Sequence, residues 1–151
     1  GPARSYRARM RGVEGNRDLS DDDYRRLLAL RDGLRRFLNW SERQARAAGI
    51  TPAQHQLLLA VRGHHPGPPT IGDIAEHLLF RHHSAVGLLD RAEAAGLVQR
   101  AVDPDDHRVV RVTLTPAGED VLARLSAEHV EELQRVGISY SELGEGLDDR
   151  R

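Results

Sequence analysis

Apolar residues first fall into a regular pattern at Tyr24, Leu27, Leu28, Leu34, Phe37 and Leu38. That spacing predicts one long helix, capped by Ser20 with Asp23 and ending near Ala48 ahead of Gly49. Its stripe carries more apolar surface than one face of a small domain needs. Thr51-Pro52-Ala53-Gln54 opens a second helix, with threonine as cap, proline first and glutamine three after the cap. Leu57, Leu58 and Val61 carry it to a break at Gly63-His64-His65-Pro66-Gly67-Pro68-Pro69. Thr70 and Asp73 cap a short third helix whose inward positions are Ile71, Ile74, Ala75 and Leu78. After a turn near Leu79-Phe80, a fourth helix is expected from about His82 to Ala95. It has Ala85, Leu88, Leu89 and Ala92 inside and Gly96 as terminator.

The period then changes. Leu97 to Val102 and Val109 to Leu114 read as two β-branched strands joined by the charged tip Asp103-Pro104-Asp105-Asp106-His107-Arg108. A tip this polar has no core to protect, so it is expected to touch something. Thr115-Pro116 starts a fifth helix through Val121, Leu122, Leu125, His129, Leu133 and Val136, ending at Gly137. Ser141 to Leu147 is expected to begin a short terminal helix, weakened by Gly144 and Gly146. The fold class expected is mainly α with a small β-hairpin (α+β). Short helix, tight turn, helix and hairpin in that order describe a winged helix-turn-helix. In that arrangement the second helix fits the major groove of DNA, where each base pair shows its own donors and acceptors. The hairpin reaches the neighbouring minor groove, where negative potential is concentrated.

Composition trims the alternatives. The 151 residues suit one domain. The expected parts are a disordered tail over 1–19 with a cleavage scar at Gly1-Pro2, a dimerisation helix over 20–49, a DNA-binding region over 50–118 and C-terminal dimerisation helices over 119–151. No apolar run approaches the ~20 residues of a membrane span, and no signal peptide is visible. The expected location is therefore cytoplasmic, on the nucleoid. There is no cysteine, so thiol catalysis and disulfides are out. With neither a phosphate-cradling glycine loop nor a nucleophile elbow, and with Asp105-Asp106 on a loop tip, an enzyme and a cofactor are not expected. All 22 basic residues are arginine, yet the net charge is −1. Between Arg81 and Arg111, five arginines meet five acids. A DNA surface must therefore come from local placement, doubled by dimerisation. Eight histidines invite a metal reading, but none is spaced as a His-x-x-x-His pair on one helix face, and no metal ligand is assigned.

Several segments carry a resemblance: Ile50-Thr51-Pro52-Ala53-Gln54, Thr70-Ile71-Gly72-Asp73-Ile74-Ala75 and Asp90-Arg91-Ala92-Glu93-Ala94-Ala95-Gly96-Leu97-Val98. To these are added Asp103-Pro104-Asp105-Asp106-His107-Arg108 and Val112-Thr113-Leu114-Thr115-Pro116-Ala117-Gly118. In this order and spacing they resemble the multiple-antibiotic-resistance regulator (MarR) family of bacterial transcription factors, over about Ile50 to Leu133. The resemblance implies a homodimer on a pseudo-palindromic double-stranded DNA operator, acting as a ligand-responsive repressor.

The roles it implies fall on matching positions. Arg108 would enter the minor groove with Asp106 steadying it, and a carboxylate that pre-orders a guanidinium does lower the entropy lost on binding. Asp103 and Asp105 are expected to be spectators. Arg81, His82, His83 and Ser84 would meet base edges and phosphates. Val86 and Gly87 would share that face, although the family more often has polar or basic side chains there. A small aromatic or anionic effector would lie near Arg36, Phe37, Trp40, His55 and Leu58. Two other readings are a metal-responsive regulator of the same fold and a winged helix that binds proteins without DNA.

Overall fold

The computed structural model describes residues 18–136. Most of the N-terminal tail, the stop at Gly137 and the helix expected over Ser141 to Leu147 lie outside these residues. The described chain divides at Trp40/Ser41 into two compact units.

Helix α1 spans Asp21–Ala47. Its start is a reciprocal cap: the Ser20 N–H donates to Asp23 Oδ2 at 3.0 Å, and the Asp23 N–H donates to Ser20 Oγ at 3.2 Å. In the first unit this helix keeps Leu27, Leu28, Leu30, Leu34 and Leu38 exposed, while the Phe37 and Trp40 rings stack with centroids 5.9 Å apart.

The second unit contains the remaining elements: α2 (Pro52–Gly63), α3 (Ile71–Leu78), α4 (His82–Ala94), β1 (Val98–Val102), β2 (Val110–Leu114) and α5 (Pro116–Arg135). Thr51, Thr70 and Thr115 cap α2, α3 and α5 as the sequence implies. Each strand is one residue shorter than expected at its first position. One core fills the unit. Leu57, Leu58, Ile74, Leu88, Leu89, Val98, Val112 and Leu125 are essentially sealed from solvent. All four inward positions expected on α4 are buried.

Two close fits hold the hairpin in place. At Gly118 an added Cβ would strike the Leu97 carbonyl, the same oxygen that accepts the Thr115 N–H at 3.1 Å. A side chain there would push α5 off the first strand. The second fit corrects a sequence expectation, since the segment before Thr70 is not a plain loop. The Val112 N–H donates to Pro69 O at 2.9 Å, and Thr70 forms an antiparallel bridge with Arg111. A single rung thus extends the two-stranded sheet. Its partners lie some 40 residues apart in the chain, beyond the reach of any local pattern.

Candidate nucleic-acid interface

Helix α4 follows α3 through a turn made by Leu79, whose backbone is left-handed at φ 56°. Arg81 is the N-cap residue of α4, and no side chain caps the helix there. The first backbone N–H groups of α4 therefore face outward with the positive end of the helix dipole, an arrangement suited to a phosphate. Arg81, His82 and His83 are exposed, and Ser84, Val86 and Gly87 are half-buried. Given the buried set, His83 and Gly87 point away from the core and Val86 lies at its flank.

Arg91 joins this face unannounced by the sequence reading. Its guanidinium lies over Gly87, where an added Cβ would come 3.4 Å from Nη1. The available signal was the i,i+4 spacing from Gly87 to an arginine.

The wing is antiparallel, with Val98 opposite Leu114 and Val102 opposite Val110. At its tip the Arg108 Nε–H donates to Asp106 Oδ1 at 3.1 Å, and its Nη2 donates to Oδ2 at 3.3 Å. The pair is a two-pronged fork with the arginine side chain 90% exposed. First the Arg108 guanidinium and then its backbone N–H hold the Asp106 carboxyl below the ordinary range.

Asp103 is more than the spectator expected. Its Oδ1 accepts the backbone N–H groups of Asp105 and Asp106 at 2.7 and 3.1 Å. Its Oδ2 accepts from Arg111 Nε at 2.8 Å. First Arg111, then those two backbone donors, lower its pKa. Asp103 therefore shapes the loop that presents Asp106 and Arg108.

These pairings also resolve the neutral charge sum. Arg100 donates to Asp90 Oδ1 at 2.7 Å and reaches Glu93 Oε2 at 3.3 Å, consuming two acids of α4. Arg111 takes Asp103, and Arg108 takes Asp106. Among the described residues, Arg81 and Arg91 form no ion pair within 4.0 Å. The five positive charges are thus unequal, with two uncommitted on the helix and one displayed on the wing.

The residues expected around an effector fall in both units. Arg36 is exposed, and Phe37 and Trp40 are half-buried and stacked. Leu58 is wholly inside the core and His55 is only 8% exposed. His55 packs against His129, with ring centroids 4.8 Å apart. His129 Nδ1 lies 2.6 Å from Leu125 O, and its Nε2 lies 2.6 Å from Ser41 Oγ. A second histidine pair, His64 with His77, forms beside Asp73. Neither pair was legible from spacing.

A helix-turn-helix followed by a hairpin wing, packed on one core, defines the winged helix-turn-helix class. The MarR family model matches residues 48–109. Over these residues the chain is similar to the MarR family. It is 32% identical over 76 residues to the uncharacterized HTH-type transcriptional regulator YsmB of Bacillus subtilis, a match covering 50% of this chain and 52% of that protein. The chain thus spans about half the length of the curated relatives it matches. Among solved structures, it is similar to the MarR family transcription regulator SP03579, with a TM-score of 0.68 and 25% identity over 86% of both chains. It also resembles the fold of the S. aureus MepR F27L mutant bound to an oligodeoxyribonucleotide. There the TM-score is 0.62 and the identity 22%, over 81% of this chain and 90% of that one.

Proposed function

We propose that this chain is a double-stranded DNA-binding transcription regulator acting as a homodimer, with α4 in the major groove and the wing in the minor groove. One observation carries the reading: Arg108 is displayed at the hairpin tip, already oriented by Asp106, directly after a helix-turn-helix. Arg81, His82, His83, Ser84 and Arg91 supply the groove face of α4, with Val86 placed to meet a thymine methyl and Gly87 making room for the Arg91 guanidinium. The similarity to YsmB, a transcriptional regulator by name, and to the DNA-bound MepR variant supports it.

Dimerisation is supported by the exposed stripe Leu27, Leu28, Leu34 and Leu38 on α1. Leucines at that spacing bury well only against another helix. Two copies would place their recognition helices about 34 Å apart, one turn of duplex. Where its operator overlaps a promoter, such a dimer excludes the polymerase, and the regulator is read as a repressor. An effector acts by favouring a conformation that fits DNA poorly.

The test is selection of bound duplexes from a random pool, followed by mobility-shift titration of the selected sequence. Wild-type protein should select an inverted repeat and lose affinity steeply with salt. Arg108→Ala should bind at least tenfold more weakly while sedimenting as the same dimer. Selection of no duplex at low salt, or unchanged affinity in Arg108→Ala, overturns the reading and favours a winged helix that contacts only proteins.

A further inference from the structure

We propose that His64 and His77 form a two-histidine site for a divalent transition-metal ion, with Asp73 as the carboxylate that orients His64. The site does not depend on DNA binding.

The geometry is specific. His64 Nδ1 and His77 Nε2 face each other at 2.9 Å, with the rings nearly perpendicular at 82°. His64 Nε2 lies 3.5 Å from Asp73 Oδ2. That carboxylate is fixed independently, because it accepts the Thr70 N–H at 2.9 Å in the cap of α3. A neutral imidazole has one N–H and one lone pair. In the tautomer with the proton on His64 Nε2, the side nearer Asp73, the Nδ1 lone pair is turned toward His77. A carboxylate behind one ring nitrogen and an open lone pair on the other is the arrangement that orients metal-bound histidines. Without an ion, the His77 Nε2 proton fills the gap as a hydrogen bond. With an ion, that proton leaves to solvent or moves to His77 Nδ1, and both facing nitrogens become ligands.

The separation indicates which ions fit. At a metal–nitrogen distance of about 2.0–2.1 Å, two ligands lie about 3.3 Å apart in a tetrahedral site. Ligands at right angles, as in tetragonal copper(II) or nickel(II) sites, lie about 2.9 Å apart. The observed 2.9 Å equals the second separation, but as a hydrogen bond it sets the nitrogens facing each other, so both rings must turn for their lone pairs to converge on one ion. Zinc would need the rings to open by a few tenths of an ångström, which the exposed His77 allows.

The supports are firm and the approach is open. His64 caps the C-terminus of α2, its N–H donating to Ala60 O at 3.1 Å. Asp73 and His77 stand four apart on α3, hence on one face. His77 also borders a groove of about 410 Å³ lined by Gln56, Leu59, Ala60, Gly63 and Leu78, so its ring is open to solvent on that side. Among the described residues no three histidine, cysteine or acidic side chains already surround one point, so two protein nitrogens and water are the expected shell. The His55–His129 pair offers no such opening, since both His129 nitrogens are engaged by Leu125 O and Ser41 Oγ.

Copper(II), the ion such ligands hold most tightly, is the probe. The purified chain is titrated with copper(II) chloride against a competing chelator, with electron paramagnetic resonance counting the bound nitrogens. One equivalent should bind with two equatorial imidazole nitrogens. His77→Gln and His64→Gln should each weaken that binding at least tenfold, and His107→Gln should leave it unchanged. Circular dichroism verifies that each variant is folded. Unchanged affinity in folded His77→Gln, or a two-nitrogen signal surviving both substitutions, would show the pair to be a hydrogen bond only and overturn the proposal.

Discussion

Arg111 bridges two parts of the chain through its side chain: its Nε donates to Asp103 Oδ2 at 2.8 Å, and its Nη1 donates to Pro68 O at 3.1 Å. The wing tip is thereby tied to the segment that precedes the helix-turn-helix. The order of the tip rests on Asp103 as much as on the Asp106–Arg108 fork.

Replacing Asp103 with alanine should therefore loosen the tip without unfolding the domain. The backbone N–H groups of Asp105 and Asp106 lose their acceptor, so their hydrogen exchange should accelerate at least tenfold by NMR. Unaltered exchange at both amides would show that the backbone alone sets the loop.

Gly118→Ala should destabilise the chain by about 2 kcal/mol or more, within the usual range for overpacking. The obstacle is the Leu97 backbone carbonyl, which has little freedom to yield. Urea denaturation measures this, and a loss below about 0.5 kcal/mol would mean that α5 can slide away from β1 cheaply.

Leu79 occupies a left-handed conformation at φ 56° and is 92% exposed. Its side chain has almost no packing to lose, while its backbone carries a strain of about 1 kcal/mol. Leu79→Gly should stabilise the fold by up to that amount, reduced by the greater freedom of glycine in the unfolded chain. A lower urea midpoint in this variant would contradict the assignment.

His55 carries a pH dependence. Burial first, and the neighbouring His129 second, lower its pKa, so the folded state favours the neutral ring. The unfolded chain takes up a proton near the ordinary value of about 6.5. Stability from this group is full above that pH and lost as pH falls below it. The urea midpoint should drop between about pH 7.5 and 5.5, and His55→Gln should flatten that slope. An identical slope in both proteins would assign the acid sensitivity to other groups.

Much of the architecture was legible because its causes are local. Ser20, Thr51, Thr70 and Thr115 each announce a helix through a hydroxyl and a backbone N–H three residues on. The burial of Ala85, Leu88, Leu89 and Ala92 follows directly from helical period. The fork between Asp106 and Arg108 spans two positions, so the motif itself contains it. The roles of Arg91 and Asp103 are not legible in the sequence, for different reasons. Arg91 counts only because Gly87 leaves space beside it, and Asp103 counts because its partner Arg111 lies across the hairpin.

By itself the sequence determined the succession of helices and strands, their caps, and the charged wing tip. Hydrogen bonds between near neighbours and a repeating apolar period are enough to set these. Only the tertiary structure decided which charges are spent and which are displayed, that Pro69 adds a rung to the sheet, and that His64 meets His77. Those outcomes depend on residues brought together by burying a common core, and the spacing of residues along a chain does not encode who will face whom across it.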